Sequence, residues 1–297
     1  MLASLLATIF FAFSIIFAHR SLQAVGQMRA NVGRLGVAAV ALALYAHTLG
    51  TGFQSASTPW LFLSGVIGMG LGDLAMFMAL PKLGSRLSLL MTQCLAAPIA
   101  AVCEWGWLGT KLTGGQIAVS AAILAGIAFA FMPDRAHPPR VRLHWSGFAL
   151  GVLAAAGQGI GAIITRKGGM VALAAGEPQL DGVNAAYHRI LGGLILTVLW
   201  FALQKRKSPP PAPAPTPVRS RYGWVIANGL AGPVLGVSCY QWALAGTPSG
   251  IVLPIVATSP LFAIPLAWWL EGDRPTLRSV LGGVIAVAGV IGLTLLR

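Results

Sequence analysis

Acidic residues are nearly missing from this chain: its 297 residues hold 7 Asp and Glu against 20 Lys and Arg, and charged residues make up only 9%. A water-soluble domain carries about a quarter of its residues as charges, so soluble enzymes and soluble binding modules are excluded. Cysteine is scarce too. Cys94, Cys103 and Cys239 fall inside apolar runs without a CxxC pair or histidines at ligand spacing, which argues against a disulfide framework and a metal site. The five histidines stand near the ends of apolar runs or between them, with no HExxH motif and no paired acids, so a convergent set for intramembrane chemistry on lipids is lacking. A net charge of +13 would suggest nucleic acid in a soluble chain. Here the cations sit in short connections between apolar runs and read as membrane orientation signals, with no nucleic acid as partner.

What is present is apolar length. Hydrophobic residues make up 56% of the chain, with a mean hydropathy of +0.78. The opening MLASLLATIFFAFSIIFAHR has no basic region before its apolar run and no small-residue cleavage site after it, so it is expected to remain as a helix. Ten windows reach spanning length, at 2–18, 32–49, 59–80, 85–104, 114–132, 145–165, 184–203, 223–245, 249–270 and 276–296. We number them spans 1 to 10. The expected fold is therefore an all-α integral membrane protein of ten transmembrane helices. The longest connection, 204–222, includes KRKSPPPAPAPTPVRSR, whose prolines forbid a helix and make a stiff, basic, solvated linker.

An internal repeat sets the architecture. Gly65 to Leu80 aligns with Gly229 to Leu244 at a shift of 164, matching Gly65 with Gly229, Gly68 with Gly232, Gly72 with Gly236 and Ala79 with Ala243. Arg20 with Arg166 and Arg34 with Arg189 mark corresponding ends of spans 1/6 and 2/7. Two five-helix halves follow, 1–132 and 145–297, joined by a basic central connection at 133–144. An odd number of spans per half turns the second copy upside down, the inverted repeat common in secondary transporters. Connections after the odd-numbered spans, with Arg34 just inside span 2, hold fifteen basic residues. The other side holds Lys111, Arg166, Lys167, Arg189 and Arg297. The odd connections are accordingly expected in the cytoplasm and both termini outside.

Polar residues at mid-span are the candidates for function. Asp73 is the only acid deep in a span, fourteen residues from Pro59 or about 21 Å along a helix. Burying it costs roughly 2.5 to 3.5 kcal/mol on insertion scales, which demands a partner, a wet cavity or protonation. Val237 takes its place in the second half. Ser14, Thr92, Gln93, Gln158, Tyr240, Gln241, Thr258 and Ser259 join Asp73 as residues expected to face a common interior, while spans 2, 5, 7 and 10 form an outer scaffold. The pairs Gly68/Gly72 and Gly232/Gly236 are GxxxG motifs suited to close helix packing. Glu104 and Glu271 stand at span ends and are expected at the membrane surface.

The run YQWAL at 240–244, SPLFAIPLAWWLEGDRPT from Ser259 to Thr276, and GGVIAVAG from Gly282 to Gly289 resemble the closing repeat of an EamA-type member of the drug/metabolite transporter superfamily. In the first half, MAL at 78–80, Pro98 and WLGTKLT at 107–113 resemble the same repeat. The resemblance implies a ten-helix inner-membrane carrier exporting small metabolites, commonly amino acids or related compounds, without a bound cofactor. The expected partners are a small-molecule substrate, the lipid bilayer and protons as a coupling ion, with no oligomer required. A lipid-modifying intramembrane enzyme and a non-transporting scaffold are the alternatives.

Overall fold

The structure, a computed structural model, describes residues 1–131, 144–179, 181–205, 218–271 and 277–296. Most of the central connection and of the proline-rich linker lies outside these residues, as does the Glu271 side chain. The described residues are helical, with no strand among them. In chain order they form α1 (Leu2–Val25), α2 (Gln27–Thr48), α3 (Thr58–Gly65), the π-helical segment π1 (Val66–Gly72), α4 (Asp73–Leu108), α5 (Gly114–Phe131), α6 (Trp145–Ala174) and α7 (Gly182–Lys205). The rest are α8 (Val218–Gly229), the π-helical π2 (Leu230–Gly236), α9 (Val237–Gly246), α10 (Ser249–Val256), α11 (Ser259–Glu271) and α12 (Leu277–Leu295). Among the described residues six helical stretches are long and apolar enough to cross a bilayer, and α5 and α12 supply shorter apolar ones. The chain is an integral membrane protein.

Local chemistry sets the element boundaries. Asp181 caps α7 by accepting the backbone N–H groups of Val183 and Asn184, both at 2.8 Å. Span 9 divides into α10 and α11 near Ala257, where Pro260 enters as the first-turn proline of the second piece. At that division the carbonyl of Ile255 accepts the Thr258 backbone N–H at 3.1 Å and also Thr8 Oγ1 at 3.1 Å and Thr258 Oγ1 at 2.6 Å. Ser259 donates likewise to the Val256 carbonyl at 2.5 Å. Pro233 lies inside π2, and the wider turn there gives its ring room against the preceding carbonyls.

Spans 3 and 4 differ from the expected helix–loop–helix. The backbone stays helical from Asp73 to Leu108 yet doubles back. A side chain on Gly157 would meet Gly72, one on Gly147 would meet Lys82 and Leu83, and one on Gly159 would meet Ala96 and Ala100. The chain therefore descends along α6, turns near Lys82 and climbs the same helix in the opposite sense. Lys82 Nζ donates to Ser146 Oγ at 3.0 Å at the turn.

The two π-helical segments pack alike. Segment π1 lies against α6 and α7, and π2 lies against α1 and α2. The π segments themselves fall 164 residues apart, in the register of the sequence repeat. Helices α5 and α12 cross with backbones touching, since a Cβ on Gly126 would sit 2.8 Å from the Gly282 carbonyl and one on Gly282 2.4 Å from the Gly126 carbonyl. Val280, Val284 and Ile291 on the outer side of α12 are exposed, as suits lipid contact.

Candidate functional site

Asp73 opens α4 just below π1, where Gly68 and Gly72 let α6 come close enough for side chains to meet across the interface. Its Oδ2 accepts from Arg34 Nη2 at 2.8 Å and its Oδ1 from Gln158 Nε2 at 3.2 Å. Arg34 Nε donates to Asn31 Oδ1 at 2.8 Å. The pair is not sealed: the side chains of Arg34 and Asp73 keep 20% and 13% of their exposure.

A second cluster lies farther along the same helices. Arg189, on α7, is only 2% exposed. Its Nη1 donates to Ser64 Oγ at 2.7 Å, to Thr165 Oγ1 at 3.2 Å and weakly to the Gly161 carbonyl at 3.4 Å. Its guanidinium carbon stands 5.5 Å from the ring centre of Tyr240, within cation–π range. Gln241 Nε2 reaches Thr165 Oγ1 at 3.4 Å, and Phe11 meets the Tyr240 ring edge-on at 6.4 Å between centres. Asp73 lies within electrostatic reach of both Arg34 and Arg189.

The third cluster closes the end to which the even-numbered spans lead. Glu104, 2% exposed, pairs with Arg166 Nε at 2.5 Å and accepts from the Ser249 backbone N–H at 2.7 Å and from the Ser249 hydroxyl. Arg166 Nη1 donates to the carbonyls of Leu244 at 2.9 Å and Thr247 at 2.7 Å. The expectation that Glu104 sits in water at the surface is corrected. The turn between α9 and α10 folds over it, and Arg166 offsets the cost of its burial. For the same reason α6 continues through Arg166 to Ala174, past the end expected near residue 165.

The sequence-derived residues divide among these places. Asp73 and Gln158 share the first cluster, and Tyr240 and Gln241 the second. Ser14 lies on the other half's equivalent interface, where its hydroxyl donates to Asn228 Oδ1 at 2.7 Å and fills the space beside Gly232. Gly236 lies against Phe11. Thr92 bonds within its own helix to Ser88, and Gln93 is half-buried. Thr258 and Ser259 serve the division of span 9 and do not converge with Asp73. Spans 2 and 7, expected as plain scaffold, send Arg34 and Arg189 inward. Both arginines had the signal of lying inside an apolar window, which a count of loop charges overrode.

The two ends of the molecule are not equally closed. At the Glu104 end α7 packs along α9, and α6 touches α9 and α10. The equivalent pairings at the other end, α2 and α1 with α4, form no comparable interface among the described residues, and the Arg34–Asp73 pair bridges α2 to α4.

No curated protein matches this sequence. A solved crystal structure of a protein is similar in fold, with a TM-score of 0.77 at 17% identity over 99% of this chain and 96% of that one. The sequence pattern described as the EamA-like transporter family matches residues 1–132 and 145–295. The two matched stretches together cover nearly the whole chain, and it belongs to the EamA-like transporter family.

Proposed function

We propose that this protein is a ten-span secondary carrier of the inner membrane, built as two inverted five-helix repeats, that exports small metabolites such as amino acids or related compounds. The observation that carries the reading is the unequal closure of the two ends around a shared line of buried polar groups. Asp73, Gln158, Tyr240 and Gln241, with Arg34 and Arg189, lie between the halves, and a site between repeats that is sealed on one side is what alternating access requires. In this reading the Glu104–Arg166 pair and the α7–α9 interface hold the outer side shut, while the half-open Arg34–Asp73 pair stands at the cytoplasmic mouth. Rocking one half against the other exchanges the two, with protons as a possible driving ion through Asp73.

The experiment has two stages. Cells overproducing the protein are screened for metabolites that accumulate in the medium, and those metabolites are then tested as labelled substrates in proteoliposomes of purified protein. Saturable flux supports the carrier. A well-folded protein that moves none of the enriched metabolites would make it a scaffold instead.

A further inference from the structure

Arg34 and Arg189 hold the same place in the two halves. Each stands seven residues after the first residue of its helix, Gln27 in α2 and Gly182 in α7. Each lays its backbone carbonyl against the glycine that the repeat register pairs: a Cβ on Gly229 would be 2.9 Å from the Arg34 oxygen, and one on Gly65 1.9 Å from the Arg189 oxygen. The acid is not repeated. Arg34 finds Asp73, whereas the register equivalent of Asp73 is Val237, buried in one cluster with Ile190 beside Arg189.

Arg189 is consequently a buried cation whose hydrogen-bond partners among the described residues are all neutral. Its hydrogen bonds to described residues all leave from Nη1 and end on two hydroxyls and a carbonyl. Nη2 lies over Gly68, where a Cβ would approach it to 2.7 Å. Asp73 acts on Arg189 only through space, its carboxylate being hydrogen-bonded to Arg34 and Gln158 instead. Asp73 is paired with Arg34 and Glu104 with Arg166, which leaves Arg189 as the cation of these clusters without an ion pair among the described residues. A buried guanidinium without an anion is costly, and its planar fork suits a carboxylate.

We propose that Arg189 is the recognition residue for a substrate carboxylate, and that the carried class is the monoanionic carboxylates. A phosphate monoester, at about −1.5 to −2, would overturn the local charge balance instead of cancelling it. An amine or the ammonium of a zwitterion would need Asp73, which is occupied. For transport this rests on the carrier reading, whose substrate range it narrows from amino acids to related carboxylates without an ammonium group; for binding it stands on the site alone.

The test uses the purified protein in nanodiscs with two matched series of probes: hexanoate, hexylamine, norleucine and hexyl phosphate, and 3-phenylpropionate, 3-phenylpropylamine, phenylalanine and 3-phenylpropyl phosphate. In at least one series the carboxylate should bind about tenfold or more tighter than its congeners, the ratio a charged hydrogen-bonded pair supplies. Arg189→Gln should weaken that binding about tenfold or more. Val237→Asp, which gives Arg189 the acid that Arg34 already has, should weaken it comparably while the melting temperature holds. Should Arg189→Gln fail to fold, Val237→Asp decides alone. Tighter binding of an amine, zwitterion or phosphate, binding of no probe, or carboxylate binding unchanged in Val237→Asp would each overturn the proposal. Counterflow of the labelled carboxylate in alkaline buffer, where leak of the neutral acid is small, separates the two readings. Binding without flux removes the carrier and keeps the carboxylate site, whereas flux of a different charge class does the reverse.

Discussion

Replacing Gly65 with alanine tests the closest of the glycine contacts among the described residues. The added Cβ would lie 1.9 Å from the Arg189 carbonyl oxygen, 2.7 Å from its carbon and 3.0 Å from its Cα, all backbone atoms that no rotamer can move. Ordinary contact begins near 3.4 Å, so α3 and α7 must part by about 1.5 Å (3.4 minus 1.9). Overpacking of this kind costs about 1–3 kcal/mol. Parting the helices also stretches the 2.7 Å bond from Arg189 to Ser64, a bond from a charged donor worth about 1.5–3 kcal/mol. Alanine returns about 1 kcal/mol of helix propensity. The net loss is about 1.5–5 kcal/mol. Gly36→Ala and Gly283→Ala, where nothing lies within 4 Å of the new atom, keep only the propensity gain. Gly229→Ala should fall between, with its first contact at 2.9 Å. Melting followed by size-exclusion fluorescence in one detergent gives the order directly. If Gly65→Ala melts with Gly36→Ala, the backbone contact between α3 and α7 is wrong, and with it the placement of Arg189.

Three further outcomes are expected. Asp73→Asn should lower flux per folded molecule and cost about 1–3 kcal/mol of stability, below the usual loss for a broken buried pair because both side chains keep some solvent. The double change with Arg34→Gln should recover the stability, as read by melting, and leave the flux low. Glu104→Gln should cost more, about 3–5 kcal/mol, since it strands Arg166 in a tighter setting; equal melting of the Glu104 and Asp73 variants would contradict the burial seen here. A topology reporter after Arg297 should read outside and one within Pro209–Pro217 cytoplasmic. Setting aside the paired or buried arginines Arg34, Arg166 and Arg189 leaves fourteen basic residues against three, a sharper bias than the raw count.

The glycines of the sequence pattern were legible because a residue without a side chain at a helix contact is hard to replace. Gly65, Gly72 and Gly229 lie against the backbone of a neighbouring helix, and Gly236 lies against the Phe11 ring. Asp73 was readable from depth alone. Its partner was not, since a hydropathy window treats an arginine one or two turns inside a helix as part of the loop beside it. Arg34, Arg166 and Arg189 were lost to that ambiguity, and Glu104 with them, because only the fold of the α9–α10 turn decides whether a helix end meets water. Thr258 and Ser259 misled in the opposite sense. Hydroxyls in an apolar run can line a cavity or bond to carbonyls at a nearby helix break, and here the second use applies.

The Glu104–Arg166 pair also bears on how the chain is made. Glu104 belongs to the first half and Arg166 to the second, 62 residues later (166 minus 104). At roughly 5–20 residues per second of synthesis, the acid waits on the order of 3–12 seconds for its cation. Its other donor, Ser249, arrives later still. Arg189 depends on Ser64 in the reverse direction, a cation of the second half that enters a membrane where its hydroxyl partner already stands. Each half thus brings a charge that the other helps to accommodate. A ribosome stalled between the halves would leave in the membrane a fragment with an uncompensated acid, marked for removal by the same burial that holds the finished molecule together.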